Sequence, residues 1–157
     1  MEIKFWLNGK MIKDEIEPDI LLLEYVRSKG CYSVKRGCET ANCGLCTVWV
    51  DKKPVLSCST LAAQINNKHV VTLEGVQAID FGTFLAKEGA EQCGYCSPGF
   101  IMNVLAMEDE LENPTEREIK EYLAGNLCRC TGYQGQLRAI KKYLDRNKEV
   151  ANNEVCK

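Results

Sequence analysis

Histidine is almost missing from this chain: His69 is the single example among 157 residues. Arrangements built on several imidazoles are therefore excluded, including a Rieske centre, which needs two. Charge of one sign is not in surplus either, since 20 Lys and Arg face 22 Asp and Glu for a formal net charge of −2. Such a balance gives no bulk attraction to nucleic acid. Long apolar runs are lacking too. A stretch such as FIMNVLAM is far too short to span a bilayer. MEIKFWLNGK alternates polar and apolar residues where a secretory signal would place a basic start and an apolar block. The expectation is a cytoplasmic protein with no nucleic-acid or membrane partner. There is also no glycine-rich phosphate loop and no hydrolase elbow, so no complete active site is expected.

Cysteine is what the chain has in abundance, with ten. In a reducing compartment ten cysteines are not a disulfide framework. Metal binding or redox chemistry becomes the default, and a secreted disulfide scaffold is the competing reading.

Two textures divide the sequence. Up to about residue 75 the pattern is strands around one helix. Ile3, Phe5 and Leu7 alternate, Asn8-Gly9 offers a tight turn, and a return strand runs through Met11, Ile12 and Ile16. Asp19 is expected to cap a helix over ILLLEYVRSK that Gly30 closes. TVWV and PVLSC form a second hairpin, and HVVTL a last strand. Beyond residue 75 four helices are expected. They cover residues 77–90, a stretch from Ser97-Pro98 to about Leu111, a stretch from the capping box TERE to near Gly125, and Gln136 to about Asn147. The fold class is α+β: a sheet domain over 1–75, a helical bundle over 76–150 and a flexible tail over 151–157.

Eight cysteines form two sets of four. The first is Cys38-x4-Cys43-x2-Cys46 with Cys58 further on, the spacing of plant-type [2Fe–2S] ferredoxins. Each iron needs two thiolates. A tight loop can supply three and a strand the fourth, with Gly37 and Gly44 letting backbone approach the sulfurs. The second set is Cys93-x2-Cys96 plus Cys128-x-Cys130. Spacing alone leaves zinc and iron open there. One C-x-C pair could chelate one iron while C-x2-C chelates the other, close to the positive end of the helix opening at Ser97. Cys31 reads as a small buried apolar residue, Cys156 as an unliganded thiol, and His69 as a strand residue with a local partner.

QCGYCSPG (92–99) and GNLCRCTGY (125–133) resemble the small iron–sulfur subunit of the xanthine dehydrogenase, aldehyde oxidase and carbon monoxide dehydrogenase family of molybdenum hydroxylases. The likeness extends over residues 1–150. It implies a β-grasp ferredoxin-like domain with one [2Fe–2S] cluster and a four-helix bundle domain with a second, nearer the molybdenum. It further implies that Gln92 contacts the molybdopterin and that Cys130 lies beside the pterin. Electrons would run from a molybdopterin-binding large subunit through the cluster of Cys93, Cys96, Cys128 and Cys130. They would continue through that of Cys38, Cys43, Cys46 and Cys58 to an FAD on a medium subunit. The assembly would be a hetero-oligomer, a dimer of heterotrimers being one form. Its substrate would be xanthine, another N-heterocycle or an aldehyde. The residues alone also allow a freestanding two-cluster ferredoxin or a zinc-stabilised interaction module. Two departures from the family pattern stand out: ETAN (39–42) lacks a glycine usual between the first two cysteines, and Gln136 replaces an apolar residue.

Overall fold

The computed structural model describes residues 1–154, with side chains to Arg146. Residues 155–157, including the expected free thiol of Cys156 and the end of the expected tail, lie outside the described residues.

The fold is α+β. Strands β1 (Glu2–Leu7) and β2 (Lys10–Glu15) form the expected antiparallel hairpin about Asn8 and Gly9, both at positive φ. β3 (Thr47–Val50) and β4 (Lys53–Leu56) form the second, turning on Asp51 and Lys52, also both at positive φ. β5 (His69–Val71) joins them, parallel to β1 and antiparallel to β3, so the sheet order is β2-β1-β5-β3-β4. Helix α1 (Leu22–Ser28) packs its buried Leu22, Leu23 and Val26 on one face of the sheet with Ile3, Phe5, Val48 and Val70. Its cap differs from expectation. Leu21, bridged to Leu61, takes the N-cap position in place of Asp19, without a side-chain hydrogen bond. Gly30, at φ +91°, closes the helix as expected.

Four helices follow: α2 (Ile79–Lys87), α3 (Ser97–Glu110), α4 (Glu116–Tyr122) and α5 (Gln134–Glu154). They share a second core of Phe81, Leu85, Phe100, Val104, Met107, Ile119, Ile140 and Tyr143. The capping box is present. Thr115 N donates to Glu118 Oε2 at 2.7 Å, and Glu118 N donates to Thr115 Oγ1 at 3.3 Å. α5 runs on to Glu154 instead of stopping near Asn147, and overlaps the stretch expected as tail, because no Gly or Pro interrupts RNKEVANNE.

The two cores meet where α3 crosses β3. Trp49 Nε1 donates to the Met102 carbonyl at 3.0 Å, and Asn103 Nδ2 donates to Thr47 Oγ1 at 3.0 Å. Gly99 touches the chain at Gly44 so closely that a Cβ would stand 2.2 Å from the Gly44 carbonyl oxygen. Tyr95 OH donates to the Arg36 carbonyl at 2.7 Å. This contact sets one end of the helical half against the loop that carries the first cysteines.

Candidate metal centres

The 38–46 loop wraps in a conformation that side chains rarely favour. Glu39 and Ala41 sit at φ +54° and +57°, so the missing glycine is borne by Ala41 itself, not passed to Asn42. The turn brings Asn42 N to Cys38 Sγ at 3.3 Å. Backbone donors from Thr40 and Asn42 hold the Cys38 thiol down to about 6. Cys43 and Cys46 are buried, and burial pushes both up, Cys46 to about 11. Cys38 contacts Cys43, and Cys46 contacts Cys58. Cys58 closes the set from a short 3-10 turn over Ser57–Ser59, just past the end of β4 and not on the strand as expected. Ser57, fully buried, ties that turn to the loop. Its hydroxyl donates to the Cys46 carbonyl at 2.7 Å.

The second set gathers at the N-terminus of α3. Cys96 itself takes the N-cap position and Ser97-Pro98 are the first two helical residues, so the helix starts one residue earlier than a serine cap with proline as the first helical residue would set it. The thiols meet across the two pairs, not within them. Cys130 Sγ donates to Cys93 Sγ at 3.6 Å, and Cys96 contacts Cys128. These contacts run between the two loops, whereas the expectation had C-x-C on one iron and C-x2-C on the other. Each thiol finds its partner on the opposite loop. Burial pushes Cys96 up to about 12, with the Cys128 sulfur adding to it. Cys128 lies below the ordinary range. Partial burial opposes this, but the Thr131 hydroxyl at 3.2 Å and the backbone N–H groups of Cys130 and Thr131 outweigh it. Cys93 and Cys130 are exposed, whereas Cys96 and Cys128 are half-buried. Gln92 is exposed beside Cys93.

The two sets adjoin. Leu127 N donates to the Cys43 carbonyl at 2.9 Å, so the residue before Cys128 is hydrogen-bonded to a cysteine of the first set. A narrow gap lined by Cys43, Cys96, Phe100, Asn126, Leu127, Cys128 and Gln136 lies between them. Gly44, at φ +70°, permits this approach. A Cβ there would meet the Asn126 amide at 2.5 Å and the Gly125 carbonyl at 2.6 Å.

These donors suit a two-iron group. Thiols come in pairs, as two irons each needing two thiolates require. Backbone N–H groups face the Cys38, Cys43, Cys46 and Cys128 sulfurs, which favours bound anionic sulfur. Thr131, Tyr133 and Gln136 were not singled out as sulfur or loop partners from the sequence. Tyr133 OH accepts from Cys128 N at 2.9 Å, and Gln136 Nε2 reaches Cys96 Sγ at 4.0 Å. The first two lie within GNLCRCTGY and its hydroxyls are the signal. Gln136 was visible only as a polar residue in an apolar position.

Comparison with known proteins agrees. Residues 6–70 match the 2Fe-2S iron-sulfur cluster binding domain, and residues 72–141 match the [2Fe-2S] binding domain. The nicotinate dehydrogenase small FeS subunit of Eubacterium barkeri is 40% identical over 145 residues, covering 89% of this chain and 92% of that one. The chain belongs to the small iron–sulfur subunit family of the xanthine dehydrogenase-type oxidoreductases. The xanthine dehydrogenase iron-sulfur-binding subunit of Escherichia coli O157:H7 is 43% identical over 141 residues, covering 84% of this chain and 87% of its own. The xanthine dehydrogenase of Emericella nidulans is 36% identical over 90% of this chain, which spans 11% of that much longer protein. Among solved structures, quinoline 2-oxidoreductase from Pseudomonas putida 86 superposes with a TM-score of 0.86 at 34% identity, covering 93% of this chain and 94% of the matched one. No described helix is long and apolar enough to cross a membrane.

Proposed function

We propose that this subunit relays electrons, through two [2Fe–2S] clusters, from a molybdopterin centre on a large partner subunit to a flavin on a medium one. Cys38 with Cys43, and Cys46 with Cys58, would hold the irons of the first cluster. Cys93 with Cys130, and Cys96 with Cys128, would hold those of the second. The clusters supply one-electron redox chemistry. The protein supplies spacing, N–H donors and burial. Within this reading the first half is a β-grasp ferredoxin-like domain, supported by one helix across a mixed five-stranded sheet. The second half is a four-helix bundle, supported by the core that α2 to α5 share.

The observation that carries the reading is the graded burial of a connected series of thiols. Cys93 and Cys130 face solvent, Cys96 and Cys128 lie behind them, and Leu127 N bonds to Cys43 O behind those. An electron arriving at the exposed edge would have a bonded route inward. Gln92 and Cys130, on that edge, are the residues we assign to the pterin contact. An N-heterocycle is the substrate class that these relatives' names favour for the complex, with an aldehyde as the alternative.

The test is anaerobic purification of the native complex. Expected are about four irons and four acid-labile sulfides per copy of this chain, two reduced-cluster EPR signals, and molybdenum in a co-purifying chain. A freestanding ferredoxin would give the clusters without larger chains or molybdenum. Zinc without sulfide would refute both.

A further inference from the structure

Gln136 is 4% exposed, in the first turn of α5. Its Nε2 points at the sulfur of Cys96, 4.0 Å away, the long end of an N–H···S contact. Its Oε1 is buried and has no hydrogen-bond partner among the described residues. The amide also lines the narrow gap between the two cysteine sets, with Phe100, Leu127 and Cys43. An apolar side chain would fill this position without stranding an oxygen. The amide is therefore held at a cost, and the group it faces is the inner sulfur of the second set. Other donors to this set are the Thr131 hydroxyl and backbone N–H groups at Cys128, and backbone N–H groups at Cys96 and Cys130, so Gln136 is the side-chain amide aimed at Cys96.

We propose that Gln136 is a potential-setting residue for the cluster held by Cys93, Cys96, Cys128 and Cys130. Resting on the two-cluster reading above, the argument is electrostatic. When that cluster accepts one electron from a reductant such as dithionite, its net charge becomes more negative by one, and its cysteine sulfurs become stronger acceptors. An amide N–H aimed at Cys96 Sγ stabilises the reduced form more than the oxidised form, and so raises the midpoint potential. Burial strengthens the effect, because little solvent screens it. Among the described residues no hydrogen bond of the amide reaches a cysteine of the first set, so the first cluster's potential is not expected to depend on Gln136.

The experiment is EPR-monitored redox titration of the holo complex, comparing the parent with Gln136→Met, which keeps length without a donor, and Gln136→Leu. Iron and sulfide are counted in each. The expected result is a full complement of both clusters, with one EPR signal shifted to lower midpoint potential and the other unmoved. Unchanged potentials with both clusters present would overturn the inference, as would equal shifts in both signals, which indicate a general change of packing. A second measurement covers loss of the cluster in the variants. In the parent complex, labelled with ¹⁵N at glutamine side-chain amides, pulsed EPR of the reduced second cluster should detect a ¹⁵N coupling. Its absence would overturn the proposal. A parent complex lacking two clusters would instead refute the two-cluster reading itself.

Discussion

The backbone N–H of Leu127 donates to the carbonyl of Cys43 at 2.9 Å, joining the loop of one cysteine set to the loop of the other. Only main-chain atoms take part, so the contact depends on backbone position and not on the leucine side chain. Leu127→Pro removes the donor, whereas Leu127→Ala keeps it. The proline variant should lose about 1 kcal/mol of stability and slow electron equilibration between the two EPR signals, read by freeze-quench after mixing with reductant. The alanine variant should behave like the parent. Equal rates in all three would remove this bond from the route.

Gly99 and Gly82 make opposite predictions for the same substitution. A Cβ on Gly99 would lie 2.2 Å from the Gly44 carbonyl and 2.9 Å from Leu45 Cα, both main-chain atoms unable to give way. Gly99→Ala should cost about 1–3 kcal/mol or more in denaturant unfolding and reduce iron content, as α3 is pushed off β3. Gly82, inside α2, has nothing within 4 Å of such a Cβ. Gly82→Ala should gain about 0.5–1 kcal/mol through helix propensity. A destabilised Gly82→Ala would count against this account of α2.

Thiol reactivity should vary sharply around the cysteine sets of the cluster-free chain. Backbone donors hold Cys38 to about 6, so at neutral pH it is mostly thiolate and nucleophilic. Burial lifts Cys96 to about 12, so it stays protonated well into alkaline solution. Brief alkylation at pH 7, mapped by mass spectrometry, should mark Cys38 heavily and Cys96 hardly at all. The Cys38 rate should fall as pH drops through about 6. Equal labelling of the two at neutral pH would show that the loop donors do not act as described.

Glu74 ties the end of the sheet to the loop after α1. Its carboxylate accepts from Ser33 N at 2.8 Å, Ser33 Oγ at 2.5 Å and Thr72 Oγ1 at 2.6 Å. Partial burial would raise its pKa, but these donors outweigh it and leave it below the ordinary 4.5. The folded chain therefore binds this proton less readily than the unfolded one. The stabilisation is full above 4.5 and is lost as pH falls through the lower folded value. Glu74→Gln should cost about 1 kcal/mol near neutrality, given partial solvent screening, and flatten the acid limb of stability against pH followed by circular dichroism. An unchanged acid limb would mean that another carboxylate sets it.

Much of this was legible because the chemistry is local. Two thiolates per iron leave spacing signatures, and Cys38, Cys43 and Cys46 display one within nine residues of chain. Asn8-Gly9 announced a hairpin, and Thr115 with Glu118 announced a helix start. What could not be read depends on contacts between distant segments. Nothing in Cys128-x-Cys130 says that Cys130 will meet Cys93 and that Cys128 will meet Cys96. That follows from how α3 and the 125–133 loop face one another. The turn at Asp51-Lys52 carries no glycine, so its two positive φ angles had no sequence mark. Cys58 shifted from strand to turn because β4 ends at Leu56, a boundary set by its pairing with Thr47. Gln136 was noticed only as an oddity. Its meaning came from the sulfur it faces.

The outer sulfurs carry a consequence for how this subunit must be made. Cys93 and Cys130 stand 3.6 Å apart at the surface, near enough that a small side-chain movement would bring them to bonding distance. Before iron arrives, an oxidant reaching this edge could lock the two into a disulfide and close the site from outside. A cluster ligated by the two thiolates would remove them from that reaction.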